Sequence, residues 1–169
     1  PSVKPFIRAM WLGAAWAFLY ALDVSTSSIP LKTFIVNFTY IPALLTVIAW
    51  LAVALEYVGH ENWLTQRRLI ILLIMPIIFV LAAFTSHWHT LWRYEYKLIW
   101  PGPLPTQIAS NGIVYWVYIV YMLGVMGGTV KLLLSSLQNR NLYIQSTIVL
   151  IIGLLIPTVT GTLFVFNLL

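Results

Sequence analysis

Residues 67–92 read RRLIILLIMPIIFVLAAFTSHWHTLW, and they determine the class of structure. No charged residue lies between Arg68 and Ser86, and one proline, Pro76, interrupts the apolar run. Roughly 20 apolar residues, each rising about 1.5 Å, cross a hydrocarbon core of about 30 Å. Arginines before such a run and a His/Trp cluster after it are typical of the two membrane surfaces. The stretch therefore predicts a membrane-spanning helix.

The composition extends this prediction to the whole chain. Of the 169 residues, 61% are hydrophobic and 8% are charged, whereas soluble domains are about 25% charged. The net charge of +5 comes from basic residues that are scattered beside hydrophobic segments. This pattern is typical of topology determinants at a membrane surface and not of a nucleic-acid interface. We therefore expect the lipid bilayer, and no nucleic acid, as the main partner.

We expect one all-α domain over residues 1–169, a polytopic transmembrane helical bundle. The apolar segments predict five spans, at about residues 9–22, 34–57, 69–86, 112–134 and 142–166. Prolines at positions 42, 76 and 157 lie inside spans, where neighbouring helices and Ser/Thr hydroxyls can satisfy the freed carbonyls. The chain starts at Pro1 and ends inside an apolar run, which predicts a fragment of a longer membrane protein.

The segment between the third and fourth predicted spans is polar. It carries prolines at positions 101, 103 and 105. Proline at this density excludes helix and favours an extended backbone. We therefore expect an extended loop here.

Basic residues predict the orientation. With five spans, the loops and ends of the chain alternate between the two sides of the membrane. One side carries six basic residues: Lys4, Arg8, Arg67, Arg68, Lys131 and Arg140. The other side carries three: Lys32, Arg93 and Lys97. The side richer in Lys and Arg is cytoplasmic by the positive-inside rule. We therefore expect a multi-pass protein of the cell membrane, with the His87–Asn111 loop outside and the Gly59–Arg68 loop in the cytoplasm.

Polar aromatic side chains concentrate at the predicted outer ends of the spans. Tyr115, Tyr118 and Tyr121 recur every three residues, so they share one stripe of a helix. Phenols in hydrocarbon need hydrogen-bond partners, so the stripe should face other helices. A small-molecule pocket, an interfacial aromatic belt and a packed bundle interior all fit this pattern. The candidate ligand-binding residues are Trp16, Tyr20, Asn37, Tyr40, His87, Trp88, His89, Trp92, Tyr115 and Tyr118.

The sequence contains no pattern that predicts catalysis or a cofactor. His87 and His89 supply too few ligands for a metal site. No two histidines can face each other inside the bilayer to hold a haem. Lys131 has no mid-span aspartate as counter-ion for retinal-type chemistry. We therefore expect no catalytic residue, no cofactor and no metal in this chain.

The order of several short motifs resembles a known family. The second span ends in ALEYVG (54–59), and an arginine pair opens the span that carries Pro76. The motifs that follow are TSH (85–87), LW (91–92), YIQ (143–145), Gly153 and LIP (155–157). Together they resemble the N-terminal seven-transmembrane sensor region of bacterial and archaeal membrane histidine kinases.

This resemblance implies a sensor. The five spans would be the second to sixth of seven, and any kinase activity would belong to a cytoplasmic output module outside this chain. It also implies an unknown small-molecule or lipid-like ligand and a homodimer formed through the full-length protein. The interpretation from the residues is that a signal in the outer leaflet biases helix packing, with the kinks at Pro42, Pro76 and Pro157 as bistable points.

Two other functions also fit the sequence. A small transporter or channel component would require polar groups along a path through both leaflets, whereas the inner halves of these spans are mostly Leu, Ile, Val and Gly. A membrane-complex assembly subunit would use the close helix contact that Gly124-x-x-x-Gly128 predicts.

Overall fold

The computed structural model describes residues 4–100, 105–138 and 144–165. Within these ranges the structure contains five helices and one β-hairpin. In chain order the elements are α1 (Lys4–Val24), α2 (Ile29–Tyr57), α3 (Gln66–Phe84), β1 (Arg93–Ile99), β2 (Thr106–Asn111), α4 (Ile113–Gln138) and α5 (Ile144–Val165). A short 3-10 turn, Glu61–Trp63, connects α2 to α3.

The all-α transmembrane bundle that the composition predicts is confirmed. The first four helices are each long and apolar enough to cross a membrane, and the Ile144–Ile156 part of α5 is a shorter apolar helix. Large apolar side chains remain exposed along α1, α3, α4 and α5. Exposure of this kind suits lipid, which solvates apolar side chains as well as a protein core does.

Local signals explain where the helices begin. Pro30 lies in the first turn of α2, where its missing N–H removes no helical hydrogen bond. Thr65 precedes α3, and its hydroxyl accepts from the N–H of Arg68 at 3.4 Å. The observed α1 and α2 begin at Lys4 and Ile29, earlier than the predicted limits of 9 and 34. The apolar windows therefore located these helices but missed their first turns, which carry Lys4 and Lys32.

The α2 helix lies at the centre of the bundle and contacts α1, α3, α4 and β1. Hydrogen bonds at the two ends of α2 show which other elements lie at each end of the bundle. Thr33, near the start of α2, accepts a hydrogen bond from Gln107 of the hairpin at 2.7 Å. Tyr57, at the end of α2, shares a hydrogen bond of 2.9 Å with Thr147 near the start of α5. We call the end of the bundle with Thr33 and the hairpin the hairpin end. We call the opposite end, with Tyr57 and the loop between α2 and α3, the loop end.

The extended loop is a two-stranded antiparallel hairpin. Arg93 pairs with Asn111 and Ile99 pairs with Thr106, with a bulge between Tyr94 and Lys97. Tyr96 donates to the Ser86 hydroxyl at 3.4 Å, which ties the hairpin to the end of α3. Burial raises the pKa of Tyr96 more than this hydrogen bond lowers it, so the phenol remains neutral. The prolines at 101 and 103 lie outside the described residues.

Gly112 joins the hairpin to α4 at a point where the backbone is very close. Its N–H donates to the carbonyl of Trp92, and the N–H of Val114 donates to the carbonyl of Leu91 at 2.9 Å. A Cβ at position 112 would overlap the backbone of Thr90 and Leu91. The absence of a side chain therefore lets the start of α4 hold the chain segment before β1.

The helix contact predicted at Gly124-x-x-x-Gly128 is absent from the part of the chain that the structure describes. A Cβ added at Gly124, Gly127 or Gly128 would meet nothing within 4 Å. These glycines therefore support no close approach of another described helix.

A buried ion pair closes the hairpin end between α1 and α2. Lys32 is 1% exposed, and its Nζ lies 3.1 Å from Oδ1 of Asp23. The same ammonium donates to the carbonyl of Asp23 at 2.5 Å and to that of Thr26 at 3.5 Å. It therefore neutralises Asp23 and also satisfies carbonyls at the C-terminal end of α1.

Candidate functional site

An aromatic cluster forms the core of the hairpin end. It consists of Tyr40 from α2, Phe79 from α3, Trp92 just before β1, and Tyr115 and Tyr118 from α4. Trp92 is at its centre and is 0% exposed. Its ring centroid lies 5.1 Å from that of Tyr40 and 5.5 Å from those of Tyr115 and Tyr118. Edge-to-face geometry and burial stabilise such a cluster, so three helices are fixed relative to the hairpin.

Polar groups in the cluster and directly beside it have no hydrogen-bond partner among the described residues. Nε1 of Trp92 and Nε of Arg93 are buried and have no hydrogen-bond partner among the described residues. Native proteins rarely leave buried donors unpaired, because each costs about 1–3 kcal/mol. Two acceptors, Oδ1 of Asp23 and Oε1 of Gln107, are also buried without a hydrogen bond among the described residues, so these groups could contact a bound molecule or water.

Arg93 places a positive charge next to Tyr115 of the cluster. Its Cζ lies 5.8 Å from the ring centroid of Tyr115. Burial lowers the pKa of Arg93, but the phenols of Tyr40 and Tyr115 favour the charged form and the net change is upward. The guanidinium therefore remains a cation beside the two tyrosines.

A cavity of about 250 Å³ adjoins the cluster between α2 and α4. Tyr40, Tyr115 and Tyr118 line it toward the hairpin end, and residues such as Val47 and Met126 line it further along. Trp16 of α1 and two residues of α5, Leu154 and Thr158, complete the wall. We call this space the α2–α4 cavity.

Hydroxyl groups in the cavity wall differ in their availability. Thr39 and Thr46 donate to carbonyls of their own helix, those of Ile35 at 3.0 Å and Pro42 at 2.7 Å. Tyr115 and Tyr118 are buried, yet no hydrogen bond joins either hydroxyl to another described residue. The tyrosines are therefore the main donors that the cavity offers to a ligand.

The structure brings half of the predicted site residues together. Tyr40, Trp92, Tyr115 and Tyr118 form the cluster, and Trp16 lines the α2–α4 cavity across from them. The spacing of three residues along α4 therefore correctly predicted that the phenols of Tyr115 and Tyr118 lie close together. Whether these residues bind a ligand stays a prediction.

The other predicted site residues lie elsewhere. Tyr20 is 56% exposed and Trp88 is 77% exposed, and His87 stacks on Trp88 with ring centroids 4.4 Å apart. Asn37 is buried in α2 but does not line the cavity.

His89 uses both ring nitrogens within its own loop. The N–H of Leu91 donates to Nδ1 at 3.3 Å, and Nε2 lies 2.9 Å from the Thr85 hydroxyl. Since Nδ1 must accept, the neutral ring carries its hydrogen on Nε2 and donates to Thr85. His89 therefore holds the turn after α3.

The candidate residues predicted from the sequence did not include Arg93 or Phe79. Arg93 belonged to a polar loop without periodicity, so nothing marked it as the half-buried cation beside the cluster. Phe79 lies one turn after Pro76 in a helix that is apolar all round, which hides its buried face. Tyr121 belongs to the tyrosine stripe, but it contacts α3 and does not line the cavity.

Tyr121 replaces the backbone hydrogen bond that Pro76 removes from α3. Proline has no N–H, so the carbonyl of Leu72, four residues earlier, loses its helical donor. The Tyr121 hydroxyl donates to that carbonyl at 2.9 Å. The ring of Tyr121 also packs on Phe79, with centroids 5.6 Å apart. The α4 helix is therefore linked to α3 at its proline.

We expect Tyr121→Phe to lower the free energy of unfolding by about 0.6–1 kcal/mol, because it removes the only side-chain donor found for Leu72 among the described residues. In a Pro76→Ala background the restored N–H of residue 76 replaces that donor, so the same change should have less effect. Unfolding by SDS titration in mixed micelles would measure both. Equal losses in the two backgrounds would show that the hydrogen bond to Leu72 contributes nothing.

Comparisons with known proteins identify the family of the chain. Neither a curated protein nor a solved structure matches the chain. The family described as N-terminal 7TM region of histidine kinase matches residues 1–169. This match agrees with the helical bundle, the apolar helix surfaces and the motif order along the chain. The chain therefore belongs to the family of N-terminal seven-transmembrane regions of histidine kinases, and it is a multi-pass membrane sensory region.

Proposed function

We propose that this chain is a receptor whose α2–α4 cavity binds a small molecule and whose helices pass the signal to a cytoplasmic output module. The observation that carries the proposal is the cavity of about 250 Å³, which Tyr40, Tyr115 and Tyr118 of the buried cluster line. Binding pockets are typically concave and mostly apolar, with a few polar groups that orient the ligand. Any kinase activity resides in the output module, since this family covers a non-catalytic sensory region.

The aromatic cluster supports a route for the signal. Tyr118 lines the cavity and packs on Phe79 of α3, with ring centroids 5.7 Å apart. One turn further along α4, Tyr121 bonds to α3 at the Pro76 gap. A ligand that displaces Tyr118 would therefore also act on the kink of α3. A shift requires that the ligand bind two packing arrangements with different affinity.

We propose that the hairpin end faces outward from the cell membrane and that the loop end is cytoplasmic. Arg67 and Arg68 lie at the loop end, which supports this orientation by the positive-inside rule. Lys32, one of the basic residues counted for the outer side, is internally neutralised by Asp23, which weakens the opposing charge. Arg140 lies outside the described residues. We also propose a homodimer formed through the full-length protein.

Ala43→Phe should abolish the response of the complete protein to its signal. Ala43 is buried and lines the cavity, so a phenyl ring there would occupy space that the ligand needs. The measurement is output activity in cells, as signal-dependent transcription or phosphorylation, across conditions that alter the wild-type output. We expect output to become constant, whether high or low.

Val120→Phe is the matched control. Val120 lies on α4 and is 71% exposed, so the added ring would face lipid. This variant should retain the wild-type response, and membrane levels of both variants should equal that of wild type. A normal response from a well-expressed Ala43→Phe protein would contradict the proposed role of the cavity.

A further inference from the structure

The size and lining of the α2–α4 cavity define the body of its ligand. An apolar cavity of about 150 Å³ accepts benzene, whereas this one measures about 250 Å³. Its far part is lined by Val47, Trp50 and Met126, which offer mainly apolar surface. The space therefore suits a two-ring aromatic body or a short acyl chain.

The charged residues near the hairpin end indicate the charge of the ligand's polar group. Asp23 interacts with both Lys32 and Arg93, whereas Glu95, the carboxylate of β1, is exposed and accepts a hydrogen bond from Ser110. Lys32 forms the direct ion pair with Asp23, and no carboxylate among the described residues forms an ion pair with Arg93. Among the charged groups at this end that are not exposed, two cations, Lys32 and Arg93, and one carboxylate, Asp23, leave one positive charge in excess. Burying a charge without a partner is costly, so an anion in this region would stabilise the site.

The tyrosines connect this charge to the cavity. Tyr115 lines the cavity and also lies 5.8 Å from the Arg93 guanidinium. Tyr40 lines the cavity and interacts with the same guanidinium. An acceptor at this end of the cavity would therefore meet phenol hydroxyls in the field of a cation, within a region of low dielectric where that field is strong.

We propose that the ligand is a small amphiphilic carboxylate, with its apolar body in the α2–α4 cavity and its carboxylate at Tyr40 and Tyr115 in the field of Arg93. This inference rests on the proposed receptor function and deepens it by naming the class of ligand. The carboxylate supplies Arg93 with a counter-charge of its own, since the nearby Asp23 forms its ion pair with Lys32. A neutral molecule of the same shape would fill the cavity and leave the charge uncompensated.

The test compares carboxylates with neutral amides of the same shape. The complete protein in zwitterionic lipid nanodiscs is titrated by calorimetry with 2-naphthoate and 2-naphthamide, then with decanoate and decanamide, with empty nanodiscs subtracted. We expect at least one carboxylate to bind tenfold or more tightly than its amide. Naphthoate binding would indicate a water-borne aromatic acid, and decanoate binding would indicate a fatty acid drawn from the bilayer. Equal affinity of each acid and its amide, or no binding of any probe, would overturn the proposal.

Variants assign the effect to Arg93. Arg93→Gln keeps a similar side-chain length and removes the charge, so carboxylate affinity should fall about tenfold while amide affinity changes less than twofold. Arg93→Lys should retain most of the preference, which separates charge from folding. Unchanged carboxylate affinity in Arg93→Gln would also overturn the proposal. If Ala43→Phe still blocked signalling in that case, the receptor function would stand with a neutral ligand.

Discussion

Gly112→Ala is expected to lower the free energy of unfolding by about 3 kcal/mol, at the upper end of typical overpacking losses. The new methyl group would overlap the backbone of Thr90 and Leu91. Backbone cannot rotate away as a flexible side chain can, so the junction between the hairpin and α4 must open. That junction includes the hydrogen bonds from Gly112 to Trp92 and from Val114 to Leu91. Unfolding by SDS titration would measure the loss.

Gly124→Ala is the matched control for this change. A Cβ at Gly124 would meet nothing within 4 Å, and the residue lies in the interior of α4. Alanine favours helix over glycine by up to about 1 kcal/mol, so this variant should be as stable as wild type or slightly more stable. A Gly112→Ala protein as stable as Gly124→Ala would contradict the close junction.

Displacement of the Gly112 junction should also affect the site. Trp92 accepts the Gly112 hydrogen bond through its carbonyl and holds the centre of the aromatic cluster with its ring. Movement of this segment would separate Trp92 from Tyr115 and Tyr118. We therefore expect Gly112→Ala protein to lose ligand response in addition to stability.

The helices could be predicted from the sequence because lipid imposes a strong rule. A long uncharged apolar run has few alternatives to a membrane-spanning helix. The five helices and their order follow from this rule alone. The first turns of α1 and α2 do not, since residues such as Lys32 read as linker until their tertiary partners are known.

The hairpin end shows where sequence reasoning reaches its limit. Trp88 and Trp92 belong to one polar aromatic segment, yet the first is 77% exposed and the second 0%. No periodicity separates them, because the turn after α3 is irregular and the bulge in β1 breaks the alternation of a strand. The spacing of Tyr115 and Tyr118 did predict a shared face, because helical geometry fixes which side chains align.

Lys32→Met is expected to lower the free energy of unfolding by about 3–5 kcal/mol, the usual loss when one partner of a buried ion pair is removed. Methionine has a similar length but cannot neutralise Asp23 or donate to the carbonyls of Asp23 and Thr26. The interaction of Asp23 with Arg93 would offset part of the loss. Lys97→Met is the control: Lys97 is an exposed lysine of β1, and its loss should change stability by less than about 0.5 kcal/mol.

A double-mutant cycle separates the ion pair from the packing of the lysine stem. Asp23→Leu alone leaves Lys32 buried without a carboxylate, so it should also destabilise strongly. The double variant removes both charges, and an apolar replacement of a buried ion pair is often close to neutral. It should therefore recover at least half of the stability that Lys32→Met loses. Strictly additive losses would show that the two side chains do not interact, and the charge excess inferred around Arg93 would then have to be recalculated without this pair.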